Sequence, residues 1–378
     1  MKKIIMITTI PMSLSTLVKG QPKYLSKFFD IKLITSYDII NHNIEDYEGV
    51  KVKSVDMTRQ ITIFKDLKAL FQLFFYFINE KPDLVYTFTP KAGLLGMIAS
   101  CFAGVPIRIH NIVGMPLMEA TGKKKKLLKF IEKLTYFFST RLFCNSFGLK
   151  EYVNRYLTKK DIKVIGCGSI NGVDTEYFNN RFSSEEQNII RKQYNISEKD
   201  FVLIFVGRIV RDKGIDELVE SFVDLAKKYN NLKLLLVGDY EENLNPIKPV
   251  NLEIINKSDN IITVGFQKDI RKFLAISDVF VLPSYREGLP NSLIEAGSYG
   301  IPLIATNING CNEVVLDKKN GLLVTKKDIK SLKNAIRLLL IDSEIYNNLK
   351  SNVRRTMIER YSQKYFWKEL KDEFEKSF

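Results

Sequence analysis

Two carboxylates eight residues apart, Glu287 and Glu295, bracket the turn Gly288-Leu289-Pro290-Asn291. Ahead of them runs Asp278-Val-Phe-Val-Leu-Pro-Ser284, a short apolar run of the kind that forms a buried strand and ends in turn residues. Pro290 is a natural helix starter, so Glu295 falls in the first turns of a helix and Glu287 in the loop before it. A strand–loop–helix unit of this kind leaves bare backbone amides at the helix mouth, which suit a phosphate. Carboxylates accept hydrogen bonds and repel phosphate, so the two Glu suit the hydroxyls of a phosphorylated sugar. Farther back, Arg208 and Lys213 follow a second buried run, Phe201 to Val206, on either side of the turn into a helix at Ile215. Two cations there would neutralise a departing diphosphate as its charge develops. The plainer reading makes both Glu helix-start carboxylates favoured by the helix dipole. It accounts for Glu295 but not for Glu287, which precedes the helix.

The elements that must position these groups alternate. In the first half strands are expected at Lys3–Thr9, Ile31–Ser36, Leu84–Thr89, Pro106–Asn111, Leu142–Ser146 and Lys163–Ile165. Helices are expected up to Phe29, at Leu67–Asn79, at Ala92–Phe102 and at Lys124–Phe138. After a polar, turn-rich stretch at Asn171–Asn180 the alternation restarts. Strands follow at Phe201–Val206, Leu232–Val237, Ile261–Val264, Val279–Leu282, Pro302–Thr306 and Gly321–Val324, with helices at Ile215–Lys228 and Ile270–Ala275. The polar stretch Tyr240–Asn260 reads as a loop, and Ile329–Phe378 as helix throughout. Strands alternating with helices imply α/β architecture with parallel sheets. Two such domains in tandem are expected to face each other across a cleft at the carboxyl ends of their strands. The division expected is 1–180, 181–360 and a final helical segment 361–378.

Composition narrows the classes. The longest apolar runs, Leu70–Ile78 and Leu94–Val105, fall short of the ~20 residues that span a bilayer and read as core helices. The start Met1-Lys-Lys-Ile-Ile-Met-Ile reads as a first buried strand rather than a signal peptide. Four scattered cysteines, two histidines and no Asp-x-Asp argue against a disulfide framework, a zinc site or a carboxylate clamp for a divalent cation. Residues 1–180 hold 26 Lys+Arg against 15 Asp+Glu, a net +11 of the chain's +14. A basic excess on one half points to an anionic partner. Its densest part is Lys123, Lys124, Lys125 and Lys126, which open a helix whose apolar residues are Leu127, Leu128, Phe130, Ile131, Leu134, Phe137 and Phe138. Lysines at a helix N-terminus oppose the dipole, so anionic lipid is the favoured partner. Nucleic acid is not, because aromatics do not interleave with the basic run and no nucleic-acid-binding motif appears.

With Phe205-Val-Gly-Arg-Ile-Val-Arg-Asp-Lys-Gly214, Leu234-Leu-Leu-Val-Gly-Asp239, the Glu-x7-Glu pair, and Asn309-Gly-Cys-Asn-Glu-Val-Val followed by Lys319-Asn-Gly-Leu-Leu323, the chain resembles the retaining glycosyltransferases of the family 4 group. The four motifs stand in the family's order and spacing, and the resemblance covers nearly the whole chain. The resemblance implies the GT-B fold, two Rossmann-like domains, with the last helix crossing back onto the first. It implies that Glu295 holds the nucleotide ribose and Glu287 contacts the donor sugar near its reacting carbon. The amides of Gly288, Leu289, Pro290 and Asn291, with Arg208 and Lys213, would lie at the donor diphosphate (Pro290 contributing shape rather than an N–H). His110, at a strand's carboxyl end, would lie near the donor sugar as a hydrogen-bonding group. The turn bearing Pro11 and Ser13 and the Thr89-Pro-Lys91 segment resemble a subgroup acting on capsule, O-antigen or lipid-linked oligosaccharides. That places Pro11, Ser13 and Lys91 on the acceptor side. Many of that subgroup have His-Thr-His-Thr where this chain has Tyr86-Thr-Phe-Thr, so any acceptor role for those positions lacks its histidines.

The function implied is transfer of a hexose or N-acetylhexosamine from a UDP-sugar, without a metal, to a polyprenyl-diphosphate-linked saccharide. The place implied is the cytoplasm, peripheral to the inner face of the cell membrane. A nucleotide-sugar 2-epimerase would share the architecture but needs acid/base groups around the cleft that two histidines hardly supply. A non-catalytic nucleotide-sugar-binding protein is the other alternative.

Overall fold

The computed structural model describes residues 1–378 except 39, 59, 61, 116, 118, 119, 180 and 242–244, and the side chains of 40 and 42. The chain divides into two compact units, Met1–Gly172 with Gln363–Phe378, and Val173–Ser362.

In the first unit the order is β1 (Lys3–Ile7), α1 (Pro11–Leu17), α2 (Gln21–Leu25), β2 (Asp30–Thr35), α3 (Ile40–Glu48), β3 (Val52–Ser54), α4 (Ile63–Glu80), β4 (Leu84–Thr87), α5 (Pro90–Phe102), β5 (Ile107–Ile112), α6 (Gly122–Phe138), β6 (Arg141–Cys144), α7 (Phe147–Tyr156) and β7 (Ile162–Val164). The seven strands pair in parallel in the order β3-β2-β1-β4-β5-β6-β7. Both faces of the sheet are covered, which is why its strands read as continuous apolar runs rather than alternating ones. Ile4, Met6, Leu84 and Tyr86 pack to one side against Phe366, Leu370 and Phe374 of the last helix. Ile5, Ile7 and Val85 pack to the other, against Ala69, Leu73 and Phe77 of α4 and Leu95, Met97 and Ala99 of α5.

The second unit runs α8 (Ser184–Gln193), β8 (Phe201–Val206), α9 (Ile215–Ala226), β9 (Leu232–Val237), α10 (Pro249–Lys257), β10 (Ile261–Thr263), α11 (Arg271–Ala275), β11 (Val279–Leu282), α12 (Asn291–Tyr299), β12 (Leu303–Thr306), α13 (Cys311–Val314), β13 (Gly321–Val324), α14 (Ile329–Ile341) and α15 (Ser343–Tyr361); α16 (Gln363–Glu375) then returns to the first unit. Its six strands are parallel in the order β10-β9-β8-β11-β12-β13. The order reverses between β8 and β11. Chain leaving these adjacent strands therefore turns away in opposite directions, and the loops after them lie side by side, the place where open α/β sheets bind ligands.

Several elements differ from expectation. The polar stretch at Tyr240–Asn260 contains α10, which opens with Pro249 in its first turn; residues 242–244 lie outside the described residues. The helical C-terminus is divided into three helices. Asp342 ends α14 and caps α15, its carboxylate accepting from the Ile345 N–H at 3.0 Å. The short or polar elements α3, β3, α7, α8, α10 and α13 were not expected. Of these, α8 carries a reciprocal Ser183–Glu186 capping box, a signal present in the sequence.

Candidate active site

Arg208 and Lys213 lie on the loop after β8, which passes through a single 3-10 turn (Arg211–Lys213) into α9. Glu287 to Pro290 lie on the loop after β11, and Asn291 and Glu295 on α12. The two loops are laced together. The Tyr285 N–H donates to the Asp212 carbonyl at 2.8 Å. The Arg286 guanidinium donates twice to one Asp212 carboxylate oxygen, at 3.0 and 2.5 Å. The Tyr285 hydroxyl donates to Glu217 of α9 at 2.6 Å. Lys213 Nζ meets Glu287 Oε1 at 2.6 Å, with both side chains mostly buried. Gly214 turns the chain at φ +73°, and a Cβ there would sit 2.1 Å from the Pro283 carbonyl oxygen. Only glycine permits that turn and that approach.

A third segment completes the wall. Asn309 Nδ2 donates to the Glu287 carbonyl at 3.4 Å. Gly310, at φ +78°, lies so close to the Gly288–Leu289 backbone that a Cβ would stand 2.1 Å from the Gly288 oxygen. Gly310→Ala is therefore expected to displace this turn and destabilise the protein by about 2 kcal/mol, read as a lowered melting temperature. Unchanged stability would show that the segment relaxes freely.

The N-cap residue of α12, Pro290, makes no side-chain cap hydrogen bond, and the first amides of a helix have no partner within it. Glu295, one turn inside, is partly exposed, and burial pushes its pKa up to about 7. No hydrogen bond or cation offsets that burial among the described residues. Arg208 is half-exposed and is not joined to Lys213. Its guanidinium instead meets Glu241, on the loop after β9, at 2.6 Å. The second unit thus gathers an uncapped helix mouth, a buried cation–carboxylate pair, a second cation and an unpartnered carboxyl.

The first unit places its residues differently. Pro11 opens α1 and, like Ser13, is buried. Lys91 lies in the first turn of α5 and is already engaged, meeting Asp66 at 2.7 Å and the Gln60 carbonyl. The loops bearing these residues are joined where the Thr9 and Thr89 hydroxyls meet at 2.6 Å. His110, expected near the donor sugar, lies inside the first unit. It is 3% exposed on β5, with Nδ1 hydrogen-bonded to the Thr87 hydroxyl at 2.8 Å. A Cβ on Gly93 would overlap its ring at 2.4 Å. Burial lowers its pKa to about 3, so it stays neutral and works as packing between α5 and the sheet. Lys123, Lys124, Lys125 and Lys126 are all exposed in the first turns of α6.

Asp212, Glu217, Tyr285, Arg286 and Asn309 join the site without a role assigned from sequence, although Asp212 and Asn309 lie within the family motifs. Each partner lies about twenty to seventy residues away.

Residues 186–356 match the family described as glycosyl transferases group 1, and residues 37–168 match the glycosyl transferase 4-like domain. The chain is 32% identical over 372 residues to the capsular polysaccharide biosynthesis glycosyltransferase CapM of Staphylococcus aureus, covering 98% of this chain and 96% of CapM. It is also 32% identical over 347 residues to the UDP-Gal:α-D-GlcNAc-diphosphoundecaprenol α-1,3-galactosyltransferase of Escherichia coli, covering 88% and 86%. Among solved structures, Anabaena HepE in complex with UDP shares the fold with a TM-score of 0.81 over 100% of both chains, at 18% identity. With two parallel sheets, the laced β8 and β11 loops and a full-length likeness to CapM, this chain belongs to the group 1 glycosyltransferases and has the GT-B fold.

Proposed function

We propose that the protein moves a hexose or N-acetylhexosamine from a UDP-sugar to a polyprenyl-diphosphate-linked saccharide, with retention of anomeric configuration, at the cytoplasmic face of the membrane. The observation that carries this reading is the Lys213–Glu287 pair beside the uncapped mouth of α12, with Glu295 unpartnered one turn behind. The likeness to an Escherichia coli UDP-Gal:α-D-GlcNAc-diphosphoundecaprenol transferase supports donor and acceptor class. So does the likeness to a Campylobacter jejuni α-1,3-N-acetylgalactosaminyltransferase whose acceptor is N,N'-diacetylbacillosaminyl-diphospho-undecaprenol.

In this reading the first amides of α12 and the Lys213 ammonium hold the diphosphate, and Arg208 turns from Glu241 to join them. The Lys213 charge, already in place where negative charge develops, lowers the barrier without reorganisation. Glu295 accepts the ribose hydroxyls and Glu287 the sugar's. The acceptor hydroxyl attacks the anomeric carbon on the face from which the phosphate leaves. The carbon–oxygen bond to phosphate breaks as the new one forms, and the hydroxyl proton passes to the leaving phosphate oxygen. The two cations supply the charge compensation, so no metal is assigned to the step. The first unit receives the acceptor, and Lys123 to Lys126 meet the anionic membrane.

Thermal shift with UDP, GDP and ADP, each with and without EDTA, tests the donor site. UDP alone is expected to raise the melting temperature, EDTA to leave the rise unchanged, and Arg208→Ala to remove most of it. A shift from no nucleotide would overturn the assignment.

A further inference from the structure

We infer that the first unit docks on an anionic lipid bilayer through the outward faces of α4 and α6. Sequence periodicity makes α4 a core helix, but only one side of it is core. Ala69, Leu73 and Phe77 face the sheet. On the opposite side Phe64, Leu67, Phe71, Phe75 and Ile78 form a stripe spaced by three and four residues, so they share one helix face. Phe64 is 89% exposed, Phe71 59% and Phe75 60%. α5 packs between α4 and α6, and at its end Phe102 is also exposed. On α6, Glu132, Thr135 and Tyr136 turn inward while Phe130 and Phe137 point out, 63% and 71% exposed. By the same helical spacing these two aromatics share their side with Lys126 and Lys133. Neighbouring exposed aromatics on adjacent helices mark an interaction surface, since single exposed apolar residues are ordinary but a set of this extent is not.

Charge selects the partner. α4 adds Lys65 and Lys68, and α6 adds Lys123 to Lys126, Lys129 and Lys133. The acidic residues of both helices are withdrawn: Asp66 pairs with Lys91, Glu80 with Lys3 and Lys32, and Glu132 is buried. Between α6 and α7 a cavity of about 550 Å³ is lined by Lys125, Lys129, Arg155, Tyr152 and Tyr156, with Glu151 its acidic member. Apolar insertion beside a cationic rim fits an acyl boundary under phosphate headgroups. A second copy of the chain would bring the same lysines to the same place and be repelled.

The inference rests on the lipid-linked acceptor reading for its purpose, not for its evidence, and its test needs neither donor nor acceptor. Full-length protein is floated with vesicles of phosphatidylglycerol and phosphatidylcholine in equal parts, and with phosphatidylcholine alone. Wild type is expected to float with the anionic vesicles. Phe64→Ser/Phe71→Ser/Phe75→Ser, at exposed positions and with an unchanged melting temperature, is expected to bind them at least about tenfold more weakly. Replacing Lys123 to Lys126 by Gln is expected to erase the preference for phosphatidylglycerol. Failure of wild type to float, or undiminished flotation of the triple Phe variant, overturns the proposal. So does a wild-type dimer in solution that the Phe variant converts to monomer, which would make the face an interface between copies. Flotation without sugar transfer would count against the proposed reaction and leave the docking face standing.

Discussion

Glu287→Ala is expected to lower kcat for sugar transfer by about 10³ while leaving a folded protein. Among the described residues the carboxylate's hydrogen-bond partner is the Lys213 ammonium at 2.6 Å, and both groups are largely withdrawn from water. Their attraction fixes Lys213 beside the α12 mouth before any donor arrives. Without Glu287 the ammonium keeps its charge but loses its anchor, and the donor sugar loses an acceptor for its hydroxyls. The loop itself stays tied through Tyr285 to Asp212 and Glu217, through Arg286 to Asp212 and through Asn309 to the Glu287 carbonyl, which survives the substitution. The stability loss is accordingly expected to be about 2–3 kcal/mol, between that of an exposed pair and that of a fully buried one, because Lys213 is left largely buried without its counter-charge. UDP protection in the thermal-shift assay should persist, because the ribose and diphosphate contacts remain. Lys213→Ala should cost a similar factor in kcat, and the double variant less than the product of the two, because the pair acts as a unit. A Glu287→Ala enzyme within threefold of wild type would remove this carboxylate from the reaction.

The second large effect concerns Glu295, where stability and binding should move in opposite directions. Burial raises its pKa to about 7 from an ordinary 4.5. Below pH 4.5 the carboxyl is protonated whether folded or not and contributes no difference. Between 4.5 and 7 the unfolded chain gives up the proton that the folded chain keeps, so stability falls as pH rises. Above 7 the full penalty stands, about 3 kcal/mol for a shift of this size. Glu295→Gln removes the ionisation, so at pH 8 the variant is expected to melt higher than wild type, and at pH 4.5 to match it. Ribose hydroxyls would hydrogen-bond best to the ionised carboxylate. UDP-sugar affinity of wild type is therefore expected to rise between pH 6 and pH 8, and the Gln variant to bind at least about tenfold more weakly with that dependence gone. Calorimetry of UDP-sugar binding at the two pH values reads this directly. A Gln variant less stable than wild type at pH 8 would show that the carboxyl is satisfied in the fold after all.

What the sequence made legible follows from the range of the interactions. Strand runs such as Phe201–Val206 and Val279–Leu282 are local and dense, and they emerge within a residue or two of expectation. Glu287 and Lys213 were both legible by family spacing, but their pairing was not, because 74 residues separate them. Asp212 was invisible for the same reason: its importance lies in Arg286 and in the Tyr285 amide, which reach it only after β8 and β11 lie side by side. The burial of His110 was not legible because its position at a strand end says nothing of Gly93, whose missing side chain lets α5 close over the imidazole. α4 was misread because an apolar stripe looks the same whether it meets a sheet or water. Apolar residues occupy nearly its whole circumference, and a one-dimensional period cannot say which side the sheet takes.

The return of α16 to the first unit fixes an order of events in the making of the chain. A ribosome delivers residues 1–172 early, with all seven strands of their sheet, yet Phe366, Leu370 and Phe374 belong to that sheet's core. Until Phe366, Leu370 and Phe374 emerge, the face bearing Ile4, Met6 and Tyr86 is covered only in part, by residues such as Leu14 and Leu25 of α1 and α2, and the whole second unit is synthesised in the interval. The half of the protein made first is thus the half finished last. Its need for protection from aggregation is set by the time taken to translate the other half.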